Sequence, residues 1–273
     1  MPGTEPSVST WTRSADLELA FRMADAADAI SLPRFRAADL QVTSKPDLTP
    51  VSDADLAVER AIRSMLAAQR PADEILGEEF GESNPSSWGG RRWVLDPIDG
   101  TKNFVRGVPI WATLIALFDG DDAVVGVVSA PGLSRRWWAA SGLGAYGRLG
   151  SEQPRRCRVF AVTELSDASL SYSEIAEWRS AGRETQFAAL CAGCWRTRAY
   201  GDFYSYMLVA EGAVDLAAEP ELSLWDVAAL IPIVTEAGGT MTAIDGQPSG
   251  GTVRSALASN GLLHQQALGV LNR

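Results

Sequence analysis

The chain has 273 residues, with 24 Lys or Arg against 34 Asp or Glu for a formal charge of −10, and it is 46% hydrophobic and 21% charged. At about 100–200 residues per domain, this length gives one large domain or two closely packed ones, able to bury roughly three quarters of the unfolded surface. The acidic balance, with a pI near 4.7, excludes a nucleic-acid or anionic-membrane surface, because phosphate backbones are held by an excess of Lys and Arg; a phosphate substrate would need a cation as intermediary.

The chain has no apolar run long enough to span a bilayer, and the start MPGTEPSVSTW has neither a basic nor an apolar stretch, so a cytoplasmic protein is expected. Cys157, Cys191 and Cys194 are too few and odd in number for a disulfide framework. Cys191 and Cys194 form a C-x-x-C, but with no second pair and His264 as the single histidine they read as ordinary reduced thiols.

In chain order, residues 14–30 read as a helix with Ser14 as N-cap and Leu17, Phe21, Ala24 and Ile30 inward. After the extended, proline-broken QVTSKPDLTPV, a second helix opens at Ser52 and runs to about Ala68, with Leu56, Ile62 and Leu66 inward and Asp55 placed for a capping box. A short strand ILG runs into Glu78-Glu79, and the polar loop GESNPSSWGG leads to the strand WVL and then DPIDGT. From Ile110 to Tyr146 the pattern is an antiparallel meander closed by GLGAYG. That run matches a dinucleotide fingerprint by letter, but no helix follows it, so it reads as a glycine turn. Residues 150–160 read as a crossover. Beyond it come a strand near ASLSY, helices near 183–192 and from Phe203 to Glu211, the strand AVDLAA, and a helix from Leu224 to Ala237 kinked at Pro232. Strands alternating with helices in both halves predict layered α and β with a sheet in each.

The chemistry concentrates in Leu95-Asp96-Pro97-Ile98-Asp99-Gly100-Thr101. Pro97 fixes one φ and Gly100 permits an unusual one, so the chain can aim the Asp96 and Asp99 carboxylates and the Ile98 carbonyl into one space. Such an oxygen set suits Mg²⁺, which takes a few carboxylates, waters and substrate phosphate, and the Gly100 and Thr101 amides are placed to hold phosphate oxygens. A single Asp pair in a D-G turn is equally compatible with solvated side chains. Glu78, Glu79 and the Asp226 of ELSLWDVAAL add further acids, and a carboxylate among apolar neighbours needs a partner. Asp226 could also serve as a favourable charge in the first turn of its helix.

GEE, then D-P-I-D-G-T-x-N-F, then W-D-V-A-A-x-x-x-I-V-x-E-A-G-G, in this order, resemble the inositol monophosphatase superfamily of Mg²⁺-dependent, lithium-sensitive phosphatases. Within it, RAYGDF at 198–203, LDPIDGTKNFVRGVPIWA and RRWWA are most similar to bacterial histidinol-phosphate phosphatases. The resemblance implies an αβαβα sandwich of the inositol monophosphatase and fructose-1,6-bisphosphatase type, divided into a metal-bearing half, 1–150, and a half carrying the substrate side and the last metal ligand, 151–273. It implies two or three Mg²⁺ per site on Glu78, Asp96, the Ile98 carbonyl, Asp99 and Asp226, with Glu79 positioning a further metal or its waters. Thr101 and the Asp55 of VSDAD would orient a water that attacks phosphorus directly, and the leaving group would be bound by Glu219, Asp202, Arg198 and Tyr200. The expected reaction is hydrolysis of histidinol phosphate to histidinol and phosphate, with an inositol 1-phosphate phosphatase as the alternative, by a homodimer with no nucleic-acid or membrane partner. Carboxylates at 202 and 219 suit the cations of histidinol phosphate and also the hydroxyls of an inositol. An aspartyl-phosphate mechanism is disfavoured because its two acids stand two apart, whereas Asp96 and Asp99 stand three apart. A non-catalytic metal-binding scaffold is disfavoured because none of the expected ligands is missing.

Overall fold

The computed structural model describes residues 12–46, 48–83, 90–248 and 254–273; most of the expected 81–90 loop and the N-terminal stretch 1–11 lie outside them. Helix α1, Arg13–Arg34, is capped by Thr12, whose hydroxyl accepts from the Ala15 amide at 3.3 Å, and not by Ser14. Its inward stripe is Leu19, Met23, Ala24 and Ala27, while Leu17, Phe21 and Ile30 are only partly buried. Small Ala20, Ala24 and Ala27 let the helix approach its neighbours closely, so the larger side chains flank the contact instead of forming it. The hairpin β1 (Val42–Ser44) and β2 (Pro50–Ser52) leads into α2, Asp53–Gln69, which opens with the expected Ser52/Asp55 capping box and buries Ala54, Val58, Ile62 and Leu66. Leu56 sits at the edge of that face.

An eight-stranded sheet follows, from β3 (Glu74–Gly77), β4 (Gly81–Glu82), β5 (Arg91–Asp99), β6 (Ala112–Asp119), β7 (Asp122–Ala130), β8 (Arg135–Ala140), β9 (Gly144–Leu149) and β10 (Arg155–Arg156), in the order β10-β9-β8-β7-β6-β5-β3-β4. β6 to β9 form the expected meander, which β5 extends by pairing antiparallel with β6, and the crossover segment includes the edge strand β10. β5 continues through Asp99 where a turn was expected after Leu95; only then does α3, Thr101–Arg106, begin. The second sheet has five strands, β11 (Ser169–Ser171), β12 (Arg196–Arg198), β13 (Leu216–Glu219), β14 (Thr240–Thr242) and β15 (Ala256–Ser259), ordered β12-β11-β13-β15-β14. Its helices are α4 (Ile175–Ser180), α5 (Glu184–Gly193), α6 (Asp202–Ala210), α7 (Leu224–Val227), α8 (Leu230–Glu236) and α9 (His264–Leu271).

Strand parity assigns the layers. Trp93, Leu95, Ile115 and Leu117 pack against α1 and α2. Val94, Leu114, Ala116 and Val128 face the other way, in one core with Phe203 and Met207 of α6, Ile233 and Val234 of α8, and Ala217, Ala256 and Ala258 of the smaller sheet. The outer face of that sheet, with Leu170, Leu216 and Leu257, is covered by Trp178, Phe187, Leu190 and Leu271. The result is a layered αβαβα sandwich whose middle helices serve both sheets.

The single helix expected over 224–237 is two, α7 and α8. Pro232 is the third residue of α8, where its missing amide costs no helical hydrogen bond. There it lies over Gly126 of β7, where an added Cβ would stand 2.7 Å from Pro232 Cγ and 2.2 Å from the Ala229 carbonyl.

Candidate active site

β5 and β6 pair Asp96 with Leu114 and Asp99 with Ala112, with a register shift between them. Three steps on β5 therefore oppose two on β6. In a regular strand, residues three apart point to opposite faces; the extra residue reverses that, so Asp96 and Asp99 share the face that looks into the middle layer. Thr113 holds the bulge by donating from its hydroxyl to the Pro97 carbonyl at 2.8 Å. Gly100 then takes φ +80°, and an added Cβ would lie 3.0 Å from the Ile110 carbonyl and 3.2 Å from Asp202 Oδ2, so both conformation and space require glycine.

Asp226 arrives from α7, far along the chain. Ligand oxygens of Asp96, Asp99 and Asp226 all lie within 4.8 Å of one another. Asp226 also forms a capping box with Ser223, accepting from its amide at 2.6 Å, so the first-turn reading and the convergent one hold together. The Phe203 amide donates to Asp99 Oδ2 at 2.9 Å, while the buried Asp96 Oδ1 has no hydrogen-bond partner among the described residues. Burial, then Glu78, Asp99 and Asp226, hold the Asp96 carboxyl well above its ordinary range; burial and Asp202 do the same to Asp99. Burial pushes Asp226 up to about 7 against the Ser223 bond. Crowded, buried, under-satisfied carboxylates are what a hard cation would neutralise, so the donor set fits a divalent ion.

Glu78 and Glu79 follow β3, which pairs in parallel with β5. Lys45 Nζ lies 2.7 Å from a carboxylate oxygen of each. Burial pushes Glu79 up to about 7 in spite of Lys45. Their turn is fixed by Glu59 of α2, fully buried, which accepts from the amides of Glu79 at 2.8 Å and Phe80 at 3.2 Å and pairs with Arg63 at 2.7 Å. Gly77 leaves room for that carboxylate, since a Cβ there would stand 2.0 Å from Glu59 Oε1. Neither Lys45 nor Glu59 was legible in the sequence: Lys45 precedes a proline in an irregular segment, and Glu59 reads only as an i,i+4 partner of Arg63.

Asp55 divides its two oxygens. Oδ2 accepts from the Ser52 amide at 2.8 Å and hydroxyl at 2.5 Å, and Oδ1 lies 3.3 Å from the Thr101 hydroxyl, which is 2.9 Å from the Ile98 carbonyl. Burial raises Asp55 to about 6 against the Ser52 bonds.

Glu78, Asp99, Gly100, Thr101 and Asp226 border a cavity of about 290 Å³ that is also lined by Ser173, Glu177, Asp202, Tyr206 and Glu219. Glu219 is buried, accepts from Tyr206 at 2.7 Å and from the Ser173 hydroxyl, and is pushed up to about 8 by burial. Asp202, at φ +48°, accepts from Asn103 Nδ2 at 2.9 Å. Tyr200 stands off this cavity, against Tyr204. Arg198 is exposed on edge strand β12 and donates to the Thr197 carbonyl at 2.7 Å, so it is not brought to the acidic cluster within this chain.

The profile of the inositol monophosphatase family matches residues 13–273. The chain belongs to that family. Within it, the sequence is 55% identical over 259 residues to a histidinol-phosphatase of Mycobacterium tuberculosis, covering 94% of this chain and 98% of that protein. It is 56% identical over 262 residues to a histidinol-phosphatase of Streptomyces coelicolor, covering 94% and 97%. Among solved family structures, an inositol monophosphatase from Zymomonas mobilis superposes with a TM-score of 0.84 at 34% identity, covering 96% of this chain and 100% of that one.

Proposed function

We propose that the chain is a Mg²⁺-dependent phosphomonoesterase that hydrolyses histidinol phosphate to histidinol and inorganic phosphate. The observation that carries this reading is a cavity lined both by Asp99 and Asp226, which cluster with Asp96, and by Asp202 and Glu219. The cluster suits divalent cations that neutralise a phosphate; Asp202 and Glu219 suit a cationic alcohol. The two histidinol-phosphatases, at 55% and 56% identity, support the same substrate.

Glu78, Asp96, the Ile98 carbonyl, Asp99 and Asp226 would hold two Mg²⁺, and Glu79 would assist a third. Bound there, the cations would supply charge neutralisation for the phosphoryl and leaving oxygens and would acidify water. The chain's own groups do the rest. The Thr101 hydroxyl orients the attacking water and passes its proton toward Asp55 Oδ1, the oxygen left free by the Ser52 cap. With Asp55 raised to about 6, that carboxylate is ionised at neutral pH and able to accept the proton. The Gly100 and Thr101 amides, at the start of α3, face the phosphate oxygens. Asp202, fixed by Asn103, and Glu219, fixed by Tyr206 and Ser173, hold the leaving group's ammonium. A cytoplasmic, lithium-sensitive homodimer whose halves meet near residue 150 completes the reading.

Phosphate release from histidinol phosphate and from inositol 1-phosphate, each with Mg²⁺ and with excess EDTA, tests it. The expected result is Mg²⁺-dependent turnover with kcat/KM at least tenfold higher for histidinol phosphate. Equal or reversed preference would overturn the substrate, and a trapped phosphoenzyme would overturn direct attack by water.

A further inference from the structure

The acidic cavity does not end at Asp202. Lys102, Ser173, Glu177 and Asp202 also form the wall of an adjoining pocket of about 240 Å³ that continues past them to Glu174, Tyr200 and Gly201. The Glu177 carboxylate, on α4, therefore borders both spaces. It is half-buried and makes no hydrogen bond or ion pair among the described residues. Lys102, the cation of that wall, has a side chain 72% exposed with its ammonium 3.8 Å from Glu174, and its charge is also felt at Glu177. Asp202 and Glu219, by contrast, already accept hydrogen bonds from the protein. The side pocket thus combines a phenol ring with a carboxylate that makes no hydrogen bond or ion pair among the described residues.

We propose that this side pocket is the subsite for the distal ring of the leaving alcohol, with Glu177 accepting a ring N–H and Tyr200 offering its aromatic face. The inference rests on the substrate reading above. In histidinol phosphate the ammonium stands close to the ester oxygen and the imidazole lies farther out, so a ligand whose phosphate meets the Asp96–Asp99–Asp226 cluster places its ammonium near Asp202 and Glu219 and its ring beyond them. An imidazolium has two N–H donors and no free acceptor. An unpaired carboxylate beside an aromatic face meets both its charge and its π-surface. A second continuation of the cavity, past Glu221 toward Ser180 and Arg254, ends beside a guanidinium and is the poorer place for a cation.

The experiment compares kcat/KM for histidinol phosphate with that for 2-aminopropyl phosphate, which keeps the ammonium and the ester and lacks the ring. The readout is the ratio of the two in wild type, Glu177→Gln and Glu177→Lys. Wild type is expected to favour the ring-bearing substrate. Gln should lower the ratio about tenfold, the size of a lost charge-assisted hydrogen bond at a half-exposed site, and Lys should lower it further, with the change residing in KM. A wild-type ratio near one would overturn the substrate reading and this subsite with it. A high wild-type ratio that survives in both variants, with heat unfolding showing both folded, would overturn the subsite alone and leave the substrate reading standing.

Discussion

Divalent-cation binding should expel protons from this protein. Ligand oxygens of Asp96, Asp99 and Asp226 lie within 4.8 Å of one another; at that distance two unit charges repel by about 3.5 kcal/mol with an effective dielectric of about 20. Three ionised carboxylates would cost about 10 kcal/mol in mutual repulsion, comparable to the whole stability of an ordinary domain. The cation-free chain therefore keeps protons in the cluster near neutral pH, as the elevation of Asp226 and Glu79 to about 7 requires. Carboxyls whose folded pKa is raised bind more protons folded than unfolded. Their stabilisation is complete below the ordinary values of 3.8 and 4.5 and is lost as pH climbs through about 7. Without cation the chain should thus lose stability from pH 5 to pH 8. With Mg²⁺ the ligands are held ionised and this slope should flatten. Mg²⁺ at about a hundred times its Kd adds about 2.7 kcal/mol, raising Tm by about 5 °C or more. Titration calorimetry at pH 6 in two buffers of different ionisation enthalpy should report about one to two protons released per chain. Heats that do not depend on buffer, together with a Tm indifferent to Mg²⁺ and EDTA, would refute the convergence of these acids on a cation.

Thr101→Ala, or Asp55→Asn, should lower kcat for histidinol phosphate about a hundredfold or more with little change in KM, because the lost step is proton transfer and not binding; steady-state kinetics on the folded variants checks this. Glu59→Gln turns one of the two oxygens that accept from the Glu79 and Phe80 amides into a donor and removes the charge paired with Arg63, so Mg²⁺ affinity should weaken about tenfold, read from the cation concentration at half-maximal activity. Gly126→Ala places a methyl 2.2 Å from the Ala229 carbonyl. It should cost about 1–3 kcal/mol, seen in denaturant unfolding, while the folded fraction keeps its Mg²⁺ dependence.

The local features could be read from the sequence because their causes are local. Ser52 and Asp55 lie three apart at a helix start and form the capping box wherever the helix goes. Of the glycines of GLGAYG, only Gly142 lies in the expected turn; Gly144 and Gly147 belong to β9, whose place is fixed by its pairing with β8. The acids of GEE, DPIDGT and WDVAA could be singled out by residue type and order. What the sequence could not supply was direction. Asp96 and Asp99 share a face only because the pairing of β5 with β6 accommodates one extra residue, and strand register is a property of two segments. Asp226 reaches them only because α7 follows the smaller sheet into the middle layer that both sheets bury. The 224–237 helix divides into two, and Pro232, third in the second of them, has room there because Gly126 on a distant strand carries no side chain. Arg198, attractive as a neighbour of Asp202 in sequence, remains on an exposed sheet edge. Lys45, Glu59 and Glu177 acquire their places only when the hairpin, α2 and α4 pack around the cavity. Propensities, caps and turns act over a few residues and are written in the chain, whereas a site made of carboxylates that repel one another exists only where long-range packing forces them together.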